Sequence, residues 1–135
     1  DWFARLHAHA KGLLKLEEPL ILAGDYNVIP RPEDCERPKD WENDALFQPE
    51  SRAAWRTLLN LGFTDAYMAL DGRPHQYTFW DYQAGAWPKN NGIRIDHMAL
   101  SPQAAERLRA ISIDREPRGW EKPSDHTPLV AEFDF

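Results

Sequence analysis

The sequence predicts an α+β fold, with short strands and helices in mixed order and long loops at the strand ends. Three observations carry this. Apolar residues recur near helical spacing in residues 2–16 and again in 52–61. Short apolar or alternating runs, too brief for helices, fall at 20–23, 77–82, 93–100, 110–114 and 129–133. The stretches between them are rich in Pro, Gly, Asn and Asp, which favour turns. The 135 residues amount to one modest domain or part of a larger one.

The elements follow in chain order. Trp2, Phe3, Leu6, Leu13, Leu14 and Leu16 give an amphipathic first helix. Pro19 closes it, because proline disfavours helix at the residue before it. Leu20–Ala23 is continuous in apolarity and reads as a buried strand. Residues 24–49 form a long loop, and so long a loop in a compact domain is usually functional or disordered. Ser51 is the expected N-cap of a second helix carrying Ala54, Trp55, Leu58, Leu59 and Leu61. Gly62 suits its end. Tyr77–Tyr82 is an aromatic strand and residues 84–92 a loop. Ile93–Leu100 alternates as a strand, and Pro102 opens a short helix near 103–108. Ala110–Asp114 and Leu129–Phe133 are the last two strands.

Composition excludes several classes. Hydrophobic residues make up 42% of the chain and charged residues 28%, a globular rather than disordered balance. No apolar run approaches the roughly 18 residues of a membrane span. The opening Asp1-Trp2-Phe3 has no basic n-region, so no signal peptide is expected. Cys35 is the one cysteine, which excludes an internal disulfide. It lies in the proline-rich loop without a motif around it and reads as an incidental thiol rather than a nucleophile. The net charge of −6 argues against wide phosphate contact. That argument weakens where acidic groups gather around a cation, which restores positive charge locally.

Three acidic clusters carry possible chemistry. In Gly24-Asp25-Tyr26-Asn27, Asp25 can bind a hard cation or take a proton from water. Asn27 can donate its amide to a charged oxygen. In a persisting strand the two share a face; as a turn, the same residues need no function. In Gly92-Ile93-Arg94-Ile95-Asp96-His97, Arg94 and Asp96 share one strand face, where a surface ion pair is the simplest reading. His97 receives no chemical role. In Ser124-Asp125-His126-Thr127-Pro128, Asp125 can bind metal or orient an imidazole, and His126 can serve as donor, acid or base. A capped turn between prolines is the alternative.

Taken in order, these clusters resemble the endonuclease/exonuclease/phosphatase superfamily and, within it, the exonuclease III family. Leu22-Ala23-Gly24-Asp25-Tyr26-Asn27-Val28-Ile29-Pro30, Tyr77-Thr78-Phe79-Trp80-Asp81-Tyr82, Arg94-Ile95-Asp96 and Glu121-Lys122-Pro123-Ser124-Asp125-His126 carry the resemblance. It implies the C-terminal half of a DNase I-like four-layer α/β/β/α sandwich, one mixed sheet with helices on its outer face. It also implies phosphodiester hydrolysis with Mg²⁺ or Mn²⁺ on double-stranded DNA, at abasic sites or 3′ ends, in a cytoplasmic, bacterial-type setting. By the same matching, Asp25 prepares the attacking water and Asn27 bonds the phosphoryl oxygens or that water. Asp96 pairs with His126, and His126 contacts the scissile phosphate. Asp25, Asn27 and Asp125 are the implied metal ligands. Phe79, Ile93 and Ile95 match a small apolar pocket for an abasic sugar, with Trp80 beside them; sheet core is the alternative for all four.

Members of that family are about twice as long. A metal-binding Glu, an Asn and a phosphate-contacting Tyr come from their earlier half, which this sequence does not match. The resemblance therefore implies a chain inactive alone. Its inner sheet face, expected to be exposed, would favour self-association or a partner. Other superfamily phosphodiesterases, of the sphingomyelinase or inositol-phosphate phosphatase type, share Gly-Asp-x-Asn and Ser-Asp-His. As a rule they lack the Tyr-Thr-Phe-Trp-Asp-Tyr and Gly-x-Arg-Ile-Asp segments.

Overall fold

Helix α1 (Trp2–Leu14) starts where Asp1 accepts a hydrogen bond from the Phe3 amide at 3.0 Å. A computed structural model describes residues 1–135 throughout. After α1 come β1 (Ile21–Asp25), α2 (Pro49–Asn60), β2 (Thr64–Asp65) and α3 (Ala66–Leu70). The second half holds β3 (Asp96–Leu100), α4 (Pro102–Ala105), β4 (Leu108–Ile113) and β5 (Leu129–Phe133).

The α+β class holds, but the expected single mixed sheet does not form. The strands make a three-stranded sheet in the order β1-β3-β2 and a separate β4-β5 pair, with every pairing antiparallel. No helix is long and apolar enough to cross a membrane.

Several boundaries moved for physical reasons. Helix α2 begins at Pro49 rather than after Ser51, because proline at the first helical position gives up no needed N–H. The Ser51 hydroxyl instead donates to the Ala45 carbonyl at 2.6 Å. Tyr77–Tyr82 is not a strand. Phe79 makes isolated bridges to Ile93 on one side and His126 on the other, so the segment stitches two loops together without running along either. The long loop after β1 is built from short 3-10 turns at Pro32–Asp34, Pro38–Asp40 and Ala45–Phe47.

Strand β1 is not buried, as its apolarity had suggested. It pairs only with β3, and Ile21 is 39% exposed. Leu22 faces inward against a core of Ala10, Tyr26, Val28, Trp55, Leu58, Phe63 and Ala99. Trp2, Leu6, Ile21 and Ala23 line an open groove of about 300 Å³ along the free edge.

A second core joins Ile29, Cys35, Phe47, Ile93 and Ile95. Cys35 is thus a core residue rather than a polar loop thiol. Burial and then the nearby acids Asp34 and Asp40 push its thiol up to about 11, which disfavours the thiolate and so a nucleophilic role.

Beside this core lies a buried ionic knot. Arg94, 1% exposed, donates from Nε to Asp34 at 3.0 Å and from Nη2 to its second oxygen at 3.2 Å. Its Nη1 reaches Asp65 at 3.3 Å, and Arg31 grips Asp34 from the other side at 2.9 Å. The expected surface pair of Arg94 with Asp96 is therefore absent. Arg94 turns inward, where a guanidinium needs partners on every face.

Candidate active site

The site grows from strand register. In the β1–β3 ladder Asp25 stands opposite Asp96, so residues 71 positions apart present carboxylates at one end of the pair. The backbone beneath Asp96 is pinned by Thr78. Its buried hydroxyl accepts from the Ile95 amide at 3.1 Å and the Asp96 amide at 3.2 Å. Nothing in the sequence singled out Thr78, since a threonine inside an aromatic run reads as filler.

His126 closes the array. Its Nδ1 lies 2.9 Å from an Asp96 carboxylate oxygen, and its Nε2 lies 3.7 Å from an Asp25 oxygen. The Trp80 amide donates to the Asp125 carbonyl at 3.0 Å, and the Thr127 amide donates to the Thr78 carbonyl at 2.8 Å. These two bonds bracket His126 and fix its approach. The Phe79 ring meets the imidazole edge to face, with centroids 5.1 Å apart.

The electrostatics follow from this crowding. Burial pulls the His126 imidazole toward neutrality, but the hydrogen bond to Asp96 and the charges of Asp96, Asp25 and Asp125 outweigh it, so its pKa is raised. Asp96 is raised above the usual carboxylate range by burial and by the Asp25 charge, against the pull of His126 and Thr78.

Asp25, Asp96 and His126 offer ligand atoms that all lie within 4.8 Å of one another. Two close carboxylates, one of them 37% exposed, suit a hard divalent cation, which takes oxygen ligands and completes its shell with water or substrate. The mutual repulsion that raises Asp96 is also what such an ion relieves. The residues present therefore fit a divalent metal as a partial shell.

The remaining expected site residues divide. Asn27 is exposed next to the array, placed by a turn rather than a strand: its φ is 52°, and its amide donates to Asp25 Oδ1 at 2.9 Å. The carboxylate of Asp125 lies outside the three-residue cluster, which holds Asp96 beside Asp25 and His126. Its charge nonetheless reaches the site and helps to raise the His126 pKa. Phe79 is half-buried at the site, whereas Ile93 is 0%, Ile95 2% and Trp80 1% exposed. Ile93 and Ile95 are packed within one core and Trp80 within another, where its ring borders a small cleft with His75, Tyr77 and Arg115.

His97, given no role from sequence, is fully buried. Its Nε2 lies 2.9 Å from the Val28 carbonyl and its Nδ1 3.3 Å from Arg94 Nη1. One neutral tautomer satisfies both contacts, donating to Val28 and accepting from Arg94. Burial, then the Arg94 charge, pushes its pKa down to about 4.

The three groups meet at the end of a sheet, and the chain belongs to the endonuclease/exonuclease/phosphatase family, whose model matches residues 1–126. It is 34% identical over 122 residues to exodeoxyribonuclease III of Haemophilus influenzae, spanning 85% of this chain and 46% of that protein. It is 36% identical over 130 residues to the DNA repair nuclease APEX1 of Danio rerio, spanning 96% of this chain and 40% of that one. Among solved structures, the Neisseria 3′ phosphatase NExo bound to a product DNA hairpin superposes with a TM-score of 0.94 at 34% identity, covering 99% of this chain and 52% of that one. An AP endonuclease from Archaeoglobus fulgidus superposes with a TM-score of 0.92 at 36% identity, again covering 99% of this chain and 52% of that one. The chain thus spans about half the length of the relatives it matches.

Proposed function

We propose that this chain is the C-terminal half of a divalent-metal-dependent DNA-repair nuclease of the exodeoxyribonuclease III and AP endonuclease kind. The observation that carries the reading is the Asp25–His126–Asp96 array at the end of an antiparallel strand pair. Asp96 accepts the Nδ1–H of His126 and so holds the ring with Nε2 facing outward. The raised pKa keeps that ring cationic to higher pH, as a donor to a non-bridging phosphate oxygen. Asp25, the more exposed carboxylate, takes the proton of the attacking water. Asn27 supplies a second donor from the neighbouring turn. Asp25 and Asp96 would hold Mg²⁺ or Mn²⁺, whose contribution is to neutralise charge on the phosphate and leaving oxygens. Phe79, the one accessible member of the matched apolar set, would meet the sugar of an abasic site.

In this reading the remaining ligands and phosphate contacts come from a further half of the protein, and the 135 residues alone are inactive. The test is an abasic-site nicking and 3′-end digestion assay on duplex DNA with Mg²⁺. It uses the chain alone and the chain supplemented with the N-terminal half of the Haemophilus relative. Cleavage is expected only in the mixture, and to be lost in Asp25→Asn and His126→Asn. Cleavage by the chain alone would end the claim of dependence. No cleavage in the mixture would end the nuclease assignment. The uncovered groove beside β1 supports self-association of the isolated chain; a clean monomer in concentrated light scattering, without binding of an apolar-surface dye, argues against it.

A further inference from the structure

Next to His126 lies an open cavity of about 450 Å³, lined from Pro117 in the turn at Glu116–Gly119 to the Ser124–Pro128 segment. Trp120 stands on its rim and is 61% exposed. The loop that carries this indole is firmly held. Arg118, 5% exposed, donates from Nη2 to the Trp80 carbonyl at 2.9 Å and to the Asp81 carbonyl at 3.2 Å. Its guanidinium also lies 5.5 Å over the Trp87 ring. A large aromatic face left in water on a rigid loop, beside a reacting group, is a typical recognition element.

The rest of the lining indicates what the indole meets. Lys122 and Ser124, both exposed, supply an ammonium and a hydroxyl, Glu121 is the one acid, and prolines fill most of the remainder; the Thr127 hydroxyl is buried and donates to the Asp114 carbonyl. An interface for a folded protein has an apolar centre, whereas one aromatic face beside an ammonium and a hydroxyl suits a nucleotide. We infer that Trp120 is a stacking platform for an unpaired base of the DNA strand whose phosphate reaches His126, with Lys122 near the adjoining phosphate. The inference rests on the proposed nuclease function and adds a preference for frayed or unpaired ends over fully paired ones.

The test is fluorescence anisotropy with two labelled duplexes, one blunt and one with a short unpaired 3′ end. It uses the chain, Trp120→Ala and Trp120→Phe, each with a thermal melt. Base stacking on an aromatic side chain implies that Trp120→Ala weakens binding of the unpaired-end duplex roughly 5- to 150-fold. Blunt-duplex binding should be unchanged, and Trp120→Phe should recover most of the loss. Equal affinity of the wild type and Trp120→Ala for the unpaired end overturns the inference while leaving the nuclease reading intact. So does an equal loss on both duplexes with a lowered melting temperature, which assigns Trp120 to packing. A wild-type chain that binds neither duplex overturns the inference, while the nuclease reading, which draws further phosphate contacts from another half, stands or falls by the cleavage assay on the mixture.

Discussion

Acidification from pH 6.5 to 4 is expected to destabilise this chain through His97, by an amount its surroundings set. The neutral ring donates to Val28 and accepts from Arg94. A proton on Nδ1 would turn that acceptor into a donor facing a guanidinium, inside a site with no access to water. The folded pKa of about 4 lies below the ordinary 6.5, so between these values the unfolded chain binds more protons than the folded one. Stability is therefore fully present above pH 6.5 and falls as pH drops through the window. At 1.36 kcal/mol per pH unit across that window, about 3 kcal/mol is lost by pH 4. His126 acts in the opposite sense: its raised pKa contributes stability that is complete below pH 6.5 and lost at higher pH, so it does not blur this window. Urea unfolding at pH 7.5, 6.5, 5.5 and 4.5 would measure the slope, with His97→Gln as the control that keeps an amide donor but cannot titrate. A wild-type slope near zero, or the same slope in His97→Gln, would refute the assignment.

Three further outcomes follow from the packing. Asp34→Ala leaves Arg94 and Arg31 without their shared partner in a buried setting and should cost about 3–5 kcal/mol in a urea titration; a loss under about 1 kcal/mol would mean that water replaces the carboxylate. Gly92→Ala places a Cβ 2.7 Å from the Trp80 indole nitrogen and 2.7 Å from a Tyr77 ring carbon. It should destabilise by about 1–3 kcal/mol, visible as a lower melting temperature. Asp96→Asn removes the hydrogen-bonded charge at His126 Nδ1, so the imidazole pKa, followed by NMR with a chelator present, should fall. An unchanged titration would dissociate Asp96 from His126.

The sequence alone determined the local elements and the identity of the reacting groups. Helical spacing located α1 and α2, Leu129–Phe133 was bounded correctly, and the motif residues Asp25, Asp96 and His126 converge. Such features depend on near neighbours and on chemistry that few side chains can supply. Tertiary structure decided everything that depends on which surface each segment meets. Leu20–Ala23 reads as buried, yet Ile21 is exposed, because β1 has only one neighbouring strand. Arg94 reads as a surface cation, yet it is buried because Asp34 and Asp65, 60 and 29 positions away, fold around it. Asp125 and Asp96 were both visible as acids. The β1–β3 register, which no local pattern encodes, brought Asp96 to Asp25 and His126 and left Asp125 outside the cluster.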